Sequence, residues 1–344
     1  MGSPLLDSVF MALPFTGAGG EAMGASLPLA LADLVALPAL GSMAFGVWWT
    51  LMGLFVGSFL NVCIHRLPLE GASVWRPLRS HCPKCNRQLT WSENVPVLSW
   101  ALQRGRCRGC GTSIHWRYPL VELLGAGAFW VAWSLLPPGG SFAILAVHTV
   151  VLSGLIVATF VDFDRWEIPD EVSIGGMWAA LIVSALLPEL HAAGPIARRF
   201  TDGAQIDWMA SLMECGAGMA LGAGILYSVG KIGQLAYRTD AMGFGDVKLM
   251  AAGGGFIGSG GIAAALLIAV VAGSIVGVLN ILRFYCVVRR RQRTRPQHGR
   301  GVRDAIRTAR VCGRYLPFGP YLALGIGIVL LDWKDVMTLL PFGG

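Results

Sequence analysis

The sequence predicts an all-α polytopic membrane protein of about eight transmembrane helices, with a small zinc-binding cytoplasmic domain between the first and second. Three observations predict it. Hydrophobic residues make up 54% of the 344-residue chain and charged residues only 14%. Mean hydropathy is +0.60, and the apolar residues gather in runs near the ~20 residues that a bilayer crossing needs. Two Cys-x-x-Cys pairs lie between the first two runs. Too little polar surface remains for an ordinary soluble globule.

Residues 1–41 are apolar but broken by Pro4, Pro14, Pro28 and Pro38, and lack the basic start of a secretory signal, so an external lead is expected. The first transmembrane helix is placed over 42–64, within the run Met43 to Ile64, and the cytoplasmic domain over 65–118. A transmembrane bundle follows at 119–335. Its runs are Pro119 to Leu136, Phe142 to Val161, Val172 to Leu187, Ala210 to Gly230, Gly260 to Leu282 and Leu316 to Leu331. The stretch Val247 to Ile257 is short and Gly-rich, and counting it as the eighth crossing lets the chain alternate sides. Gly253-Gly254-Gly255 within it suits close helix packing better than a nucleotide loop. An Arg-rich insert at 283–315 and a tail at 336–344 complete the chain.

A net charge of +7 raises the question of nucleic acid, and the positions of the charges argue against it. Of 27 Lys and Arg, nine lie between Arg66 and Arg117 and eleven between Arg283 and Arg314. By the positive-inside rule these segments face the cytoplasm and the N-terminus lies outside, in a bacterial inner membrane once the resemblance described below is added. Anionic lipid, not nucleic acid, is the expected partner of the insert.

Cys82-x-x-Cys85 and Cys107-x-x-Cys110 are separated by 21 residues. Each pair lets two thiolates face one ion, and four thiolates make a closed tetrahedral site that suits structural Zn²⁺. A reducing cytosol argues against two disulfides, and so small a domain would draw much of its folding energy from the metal. His81 and His115 flank the pairs and read as bystanders. Cys63, Cys215, Cys286 and Cys312 match no ligand pattern and are expected to be small buried residues.

Two acids stand where a membrane should exclude them. Asp162 follows the apolar run Thr149 to Val161, and Asp246 closes Gly243-Phe244-Gly245-Asp246. An ionised Asp at a membrane centre costs about 2.5–3.5 kcal/mol on insertion scales, so two beside apolar segments suggest one shared site. Gly243 and Gly245 allow close backbone approach. Two carboxylates near one water divide their titration, which fits aspartic proteolysis. Spacing alone does not separate Asp162 from Asp164; Asp162 is preferred as nearer the apolar run. Glu167 and Asp164 flank Arg165 and suit interfacial pairing, and Asp170 after Pro169 reads as a helix N-cap. Lys248, two residues beyond Asp246, reads as a snorkelling cation or as a neighbour that stabilises the Asp246 carboxylate. Ser58 and Asn61 share one helical face and suit interhelical hydrogen bonds.

The chain resembles the bacterial prepilin peptidases, or type IV leader peptidases, among the GxGD intramembrane aspartic proteases. The resemblance covers most of 51–331. It rests on Gly57-Ser58-Phe59-Leu60-Asn61-Val62 through Arg66-Leu67-Pro68, the two cysteine pairs, Arg117-Tyr118-Pro119-Leu120-Val121-Glu122, the stretch Asp162 to Asp170, and Gly243 to Lys248. It implies a peptidase that removes the basic leader of prepilins and type II secretion pseudopilins at the cytoplasmic face, with Asp162 and Asp246 as the catalytic pair. It further implies methyl transfer from S-adenosylmethionine to the new N-terminus, linked to the cysteine-bearing region and to Glu122. The long segment 188–209 and the Arg-rich insert depart from the family pattern. A peptidase without methyl transfer and a zinc-stapled scaffold or transporter are the rival readings. Product mass separates the first, and the second would release no cleaved product.

Overall fold

Helix boundaries follow from caps and apolar content. Helix α1, Met43–Arg66, opens at Ser42, whose side chain accepts from the Phe45 N–H at 3.2 Å. In the computed structural model, which describes residues 40–69, 71–76, 80–136, 140–192, 194–199, 207–238, 242–294 and 316–331, α2 is the short Leu98–Leu102 and α3 is Arg117–Ser134. Helix α4, Phe142–Arg165, is capped by Ser141 through the Ile144 N–H at 3.2 Å. It ends at Trp166, which adopts the left-handed conformation and returns its N–H to the Asp162 carbonyl at 3.0 Å. Next come α5 (Asp170–Leu186), the short α6 (Pro195–Arg199), α7 (Trp208–Tyr237), α8 (Phe244–Thr294) and α9 (Gly319–Leu331). No strand occurs among the described residues, only three isolated bridges.

The fold is an all-helical, multi-pass membrane bundle. Among the described residues, Met43–Arg66, Phe142–Arg165, Trp208–Ala236 and Phe244–Arg290 are long and apolar enough to cross a membrane, and Gly319–Leu331 is a shorter apolar helix. The expected lead at 1–41 lies outside the described residues except for its last two positions, as do Cys312, most of the Arg-rich insert and the tail. The insert's first part, 283–294, continues α8 as helix.

Glycines let the helices touch backbone to backbone. A Cβ on Gly57 of α1 would lie 2.6 Å from Glu122 Cα of α3, and one on Gly53 would lie 2.8 Å from the Gly125 carbonyl. Helix α8 is in fact a hairpin. Gly258 breaks it with φ 70° and ψ 176°, a conformation open to glycine and costly for other residues. A Cβ on Gly254 would lie 2.9 Å from Ile262 Cδ1, although residues eight apart on a straight helix are about 12 Å apart. Met250 and Ile262 also converge on Gly222 of α7. The arm 244–257 therefore runs out, turns at Gly258 and returns as 259–294, with the glycines of 253–255 packed against α5, α7 and α9.

One buried acid holds that turn. Glu214 of α7 is fully buried. Its Oε1 accepts from the Ser259 N–H at 2.7 Å and from the Ser259 hydroxyl, while Oε2 accepts from the N–H groups of Ile196 at 2.8 Å and Ala197 at 3.2 Å. One carboxylate thus satisfies the orphan donors at two helix starts, that of α6 and that of the returning arm. Beside it His191 bonds Ser211 at 2.9 Å and the Gly255 carbonyl at 3.0 Å.

Of the cysteines outside the two pairs, Cys63 and Cys215 are buried as expected, but Cys286 is exposed. It lies on the outer part of the returning arm, where none of the described residues covers it.

Candidate functional site

At one end of the bundle, the C-terminus of α4 with its link to α5, the N-termini of α5 and α8, and the turn after α1 line a cleft of about 680 Å³. Asp162 and Asp246 both line it, and both are buried, at 5% and 9% exposure. Gly243 and Gly245 line it too, with a Cβ on Gly245 falling 3.3 Å from Ile168 Cβ. A side chain at 245 would press the α4–α5 link back by a few tenths of an ångström. Asp162 Oδ2 accepts the Gly319 N–H at 3.0 Å, and a Cβ on Gly319 would lie 2.5 Å from that same oxygen. Gly319 begins α9, so this oxygen meets the positive end of a helix. The sequence reading missed Gly319. Its only signal is the Pro-Phe-Gly-Pro run 317–320 at the head of an apolar helix.

Asp164 turns away from Asp162. Arg117 Nη1 lies 2.6 Å from both of its carboxylate oxygens, and Nη2 donates to the Phe160 carbonyl at 3.1 Å. Asp164 therefore pairs with the start of α3, not with Arg165, whose Nη1 reaches the Pro68 carbonyl at 3.5 Å. Asp170 is not an N-cap. Pro169 holds that position without a side-chain cap bond, and Asp170, the first helical residue, pairs with Lys248 across the cleft mouth. The Lys248 ammonium thus pairs with Asp170, and it lies 5.8 Å from the Phe244 ring centroid.

Glu122 is buried in α3, and its Oε2 accepts the Val97 N–H at 2.7 Å. Val97 has φ 61°, a costly conformation for a β-branched residue, so this bond helps fix a strained turn of the cysteine domain on the bundle. Ser58 also bonds Glu122, and Asn61 Nδ2 donates to the Tyr118 carbonyl at 3.0 Å. Both are the interhelical bonds expected of them.

The four cysteines converge. Their Sγ atoms all lie within 4.8 Å of one another, and Cys82 and Cys110 are 3.8 Å apart. Four sulfurs at ~2.3 Å from one ion have tetrahedral edges of ~3.8 Å, so the arrangement fits zinc. Each pair is the same knuckle: Asn86 N–H returns to the Cys82 carbonyl and Gly111 N–H to the Cys107 carbonyl, both at 2.9 Å. Asn86 and Gly111 both take positive φ. Backbone N–H groups of Cys110 and Gly109 pull the Cys107 thiol down to about 6. Those of Cys85 and Lys84 lower Cys82. Cys85 receives the Arg87 N–H, yet burial and the neighbouring sulfurs push it up to about 11. Glu93 ties the knuckles together. It accepts from the Thr90 N–H and hydroxyl, each at 2.9 Å, and pairs with Arg87, with Arg108 Nε 3.9 Å away. The Thr90 N–H, with Arg87, holds its carboxyl down to about 2.

Residues 51–135 match the bacterial peptidase A24 N-terminal domain, and residues 149–278 match the type IV leader peptidase family. The prepilin leader peptidase/N-methyltransferase of Aeromonas hydrophila is 32% identical over 325 residues, 86% of this chain and 95% of that protein. The chain belongs to the type IV leader peptidase family. It is therefore an enzyme of the peptidase class. The Myxococcus xanthus prepilin leader peptidase/N-methyltransferase is 36% identical over 246 residues, 72% of this chain and 66% of that protein. An Escherichia coli type 4 prepilin-like proteins leader peptide-processing enzyme is 32% identical over 298 residues, 82% of this chain and 92% of that protein. No solved structure matches the chain. The N-terminal match spans the cysteine pairs and Glu122, and the second spans both cleft acids, so each half of this leader peptidase carries one of the two constellations.

Proposed function

We propose that this leader peptidase is an aspartic endopeptidase that cleaves the basic leaders of prepilins and type II secretion pseudopilins, with Asp162 and Asp246 as the catalytic pair. The observation that carries it is the opening of both buried carboxylates onto one cleft at one end of the bundle. The substrate's apolar helix lies along the bundle and its leader enters the cleft. Asp162, held through Oδ2 by Gly319, keeps its other oxygen for the water proton. Asp246 bonds the scissile carbonyl and then gives its proton to the leaving amine. Glu167 and Glu171 on the cleft wall favour a basic leader, an attraction that salt screens.

Four thiolates would hold one zinc, which closes the loop between α1 and α3 and takes no part in the chemistry. Eight crossings follow if α1, α3, α4, α5, α7, the two arms of α8 and α9 each span. The Lys- and Arg-rich loops then put the cleft and the cysteine domain at the cytoplasmic face of the inner membrane, with residue 40 outside. The relatives' names support a second reaction, methyl transfer from S-adenosylmethionine to the new N-terminus. Glu122 contributes by holding the domain, since Val97 and Ser58 occupy its carboxylate.

The test is incubation of the purified protein with a prepilin, with and without S-adenosylmethionine, and mass analysis of the product N-terminus. Leader removal that vanishes in Asp162→Asn and in Asp246→Asn is the expected result, with one added methyl only when the donor is present. Retained cleavage in either variant rejects the pair, and an unmodified product leaves a peptidase alone.

A further inference from the structure

The segment after α1 folds back on that helix. Arg66 Nη1 donates to the carbonyls of Ser73 at 3.2 Å and Val74 at 3.1 Å, folding the turn Gly71–Arg76 back along the helix it follows. Val74 packs against the cluster that contains Leu60 and Ile64 of α1. The Trp75 ring lies 5.7 Å from that of Phe59, centroid to centroid. Phe59 is seven residues before Arg66, about 10 Å back along α1 toward the bilayer interior. Trp75 thus lies level with Phe59, inside the apolar span of α1, although it belongs to the cysteine domain in sequence. Both rings face outward, at 69% exposure for Trp75 and 41% for Phe59, and exposed Arg76 follows. An aromatic ring with an adjacent cation suits the boundary between acyl chains and anionic headgroups. The other side of the turn faces inward: Leu67, Pro68, Gly71 and Ala72 line the same cleft as Asp162 and Asp246.

We propose that the turn Gly71–Arg76 is a lipid-seated wall of the cleft: Trp75 and Arg76 bind the headgroup–acyl boundary beside Phe59, and the bilayer itself holds Gly71 and Ala72 against the two acids. The lipid face of α1 continues directly onto Trp75, and Arg76 supplies a charge complementary to an anionic headgroup. The wall's role in cleavage rests on the proposed peptidase reading; the lipid contact does not.

The experiment uses the full chain in nanodiscs of phosphatidylethanolamine and phosphatidylglycerol, with a photo-crosslinking phenylalanine at position 75 and, as a control, at the exposed Lys84. Phospholipid adducts at 75 but not at 84 are expected, without substrate and also in an Asp246→Asn background, so the readout is independent of activity. No lipid adduct at 75, or an adduct only to added prepilin or to a second copy of the chain, overturns the proposal. In parallel, Trp75→Ala should lower kcat/KM roughly 2- to 10-fold, the scale of one aromatic contact, chiefly through KM, with zinc content unchanged and Trp75→Phe restoring most of it. Lipid adducts with unaltered kinetics would overturn the wall. Absent cleavage in every form, with lipid adducts intact, would instead indict the peptidase reading.

Discussion

Replacing Gly319 with Ala tests whether a backbone N–H positions Asp162, the base of the proposed reaction. The new Cβ would lie 2.5 Å from Asp162 Oδ2, where real contacts stay above 3.0 Å, so one group must retreat by at least about 0.5 Å. Helix α9 resists moving, because Leu322 and Ile326 are fully buried against its neighbours. The carboxylate moves instead and stretches or loses its 3.0 Å bond. A hydrogen bond to a charged group contributes about 1.5–3 kcal/mol. A 1 Å misplacement of a reacting group can cost about 100-fold, equivalent to about 2.7 kcal/mol of barrier. We therefore expect kcat/KM for prepilin cleavage to fall on the order of 100-fold, mainly in kcat. The fold should survive, since the side chain of Asp162 and not the packed helix takes up the shift. The assay is product mass against time at several substrate concentrations, with zinc content and helical circular dichroism as controls. Activity within threefold of the parent, with both controls intact, refutes the positioning argument.

Purified protein should carry about one zinc per chain, and Cys107→Ser should lose it and lower the thermal midpoint; metal analysis and a melting curve decide this. Glu93 gives a pH dependence of known sign. Its carboxyl is depressed from 4.5 to about 2, so its stabilisation is complete above about pH 4.5 and is lost as pH falls toward 2. The gap in thermal midpoint between the parent and Glu93→Gln should close over that window, and a gap independent of pH would sink the assignment. Lys248→Met frees the partly exposed Asp170. We expect a stability change below about 1 kcal/mol, and a higher kcat/KM for a basic leader that disappears at high salt. A salt-independent effect would exclude the electrostatic account.

The cleft acids were legible because burial of charge in an apolar run is expensive, so each announces itself in the sequence. The cysteine pairs were legible because a knuckle is local. What escaped acts across the chain or through the backbone. Gly319 contributes an N–H and the absence of a Cβ, neither of which has a side-chain signature. Lys248 and Asp170 are far apart in sequence, and only the packing of α5 on α8 shows that Asp170 is a partner and not a cap. Glu214 did carry a signal, an acid inside the run Ala210 to Gly230, but its partners are backbone donors at two other helix starts. The turn at Gly258 hid in a stretch whose glycines also serve packing, so the short eighth segment and the break after it could be placed only approximately.

The arm of α8 that carries Asp246 has only the residues 244–257, about 21 Å of helix, before the chain turns at Gly258. A hydrocarbon slab of about 30 Å exceeds it. If the arm lies within the bilayer, its length falls short of one face, and the cleft with its polar wall opens at the end that carries the acid. On the proposed reading of the two acids, water would then reach the carboxylates from the cleft, with no channel through the bundle, because the arm that carries Asp246 is short.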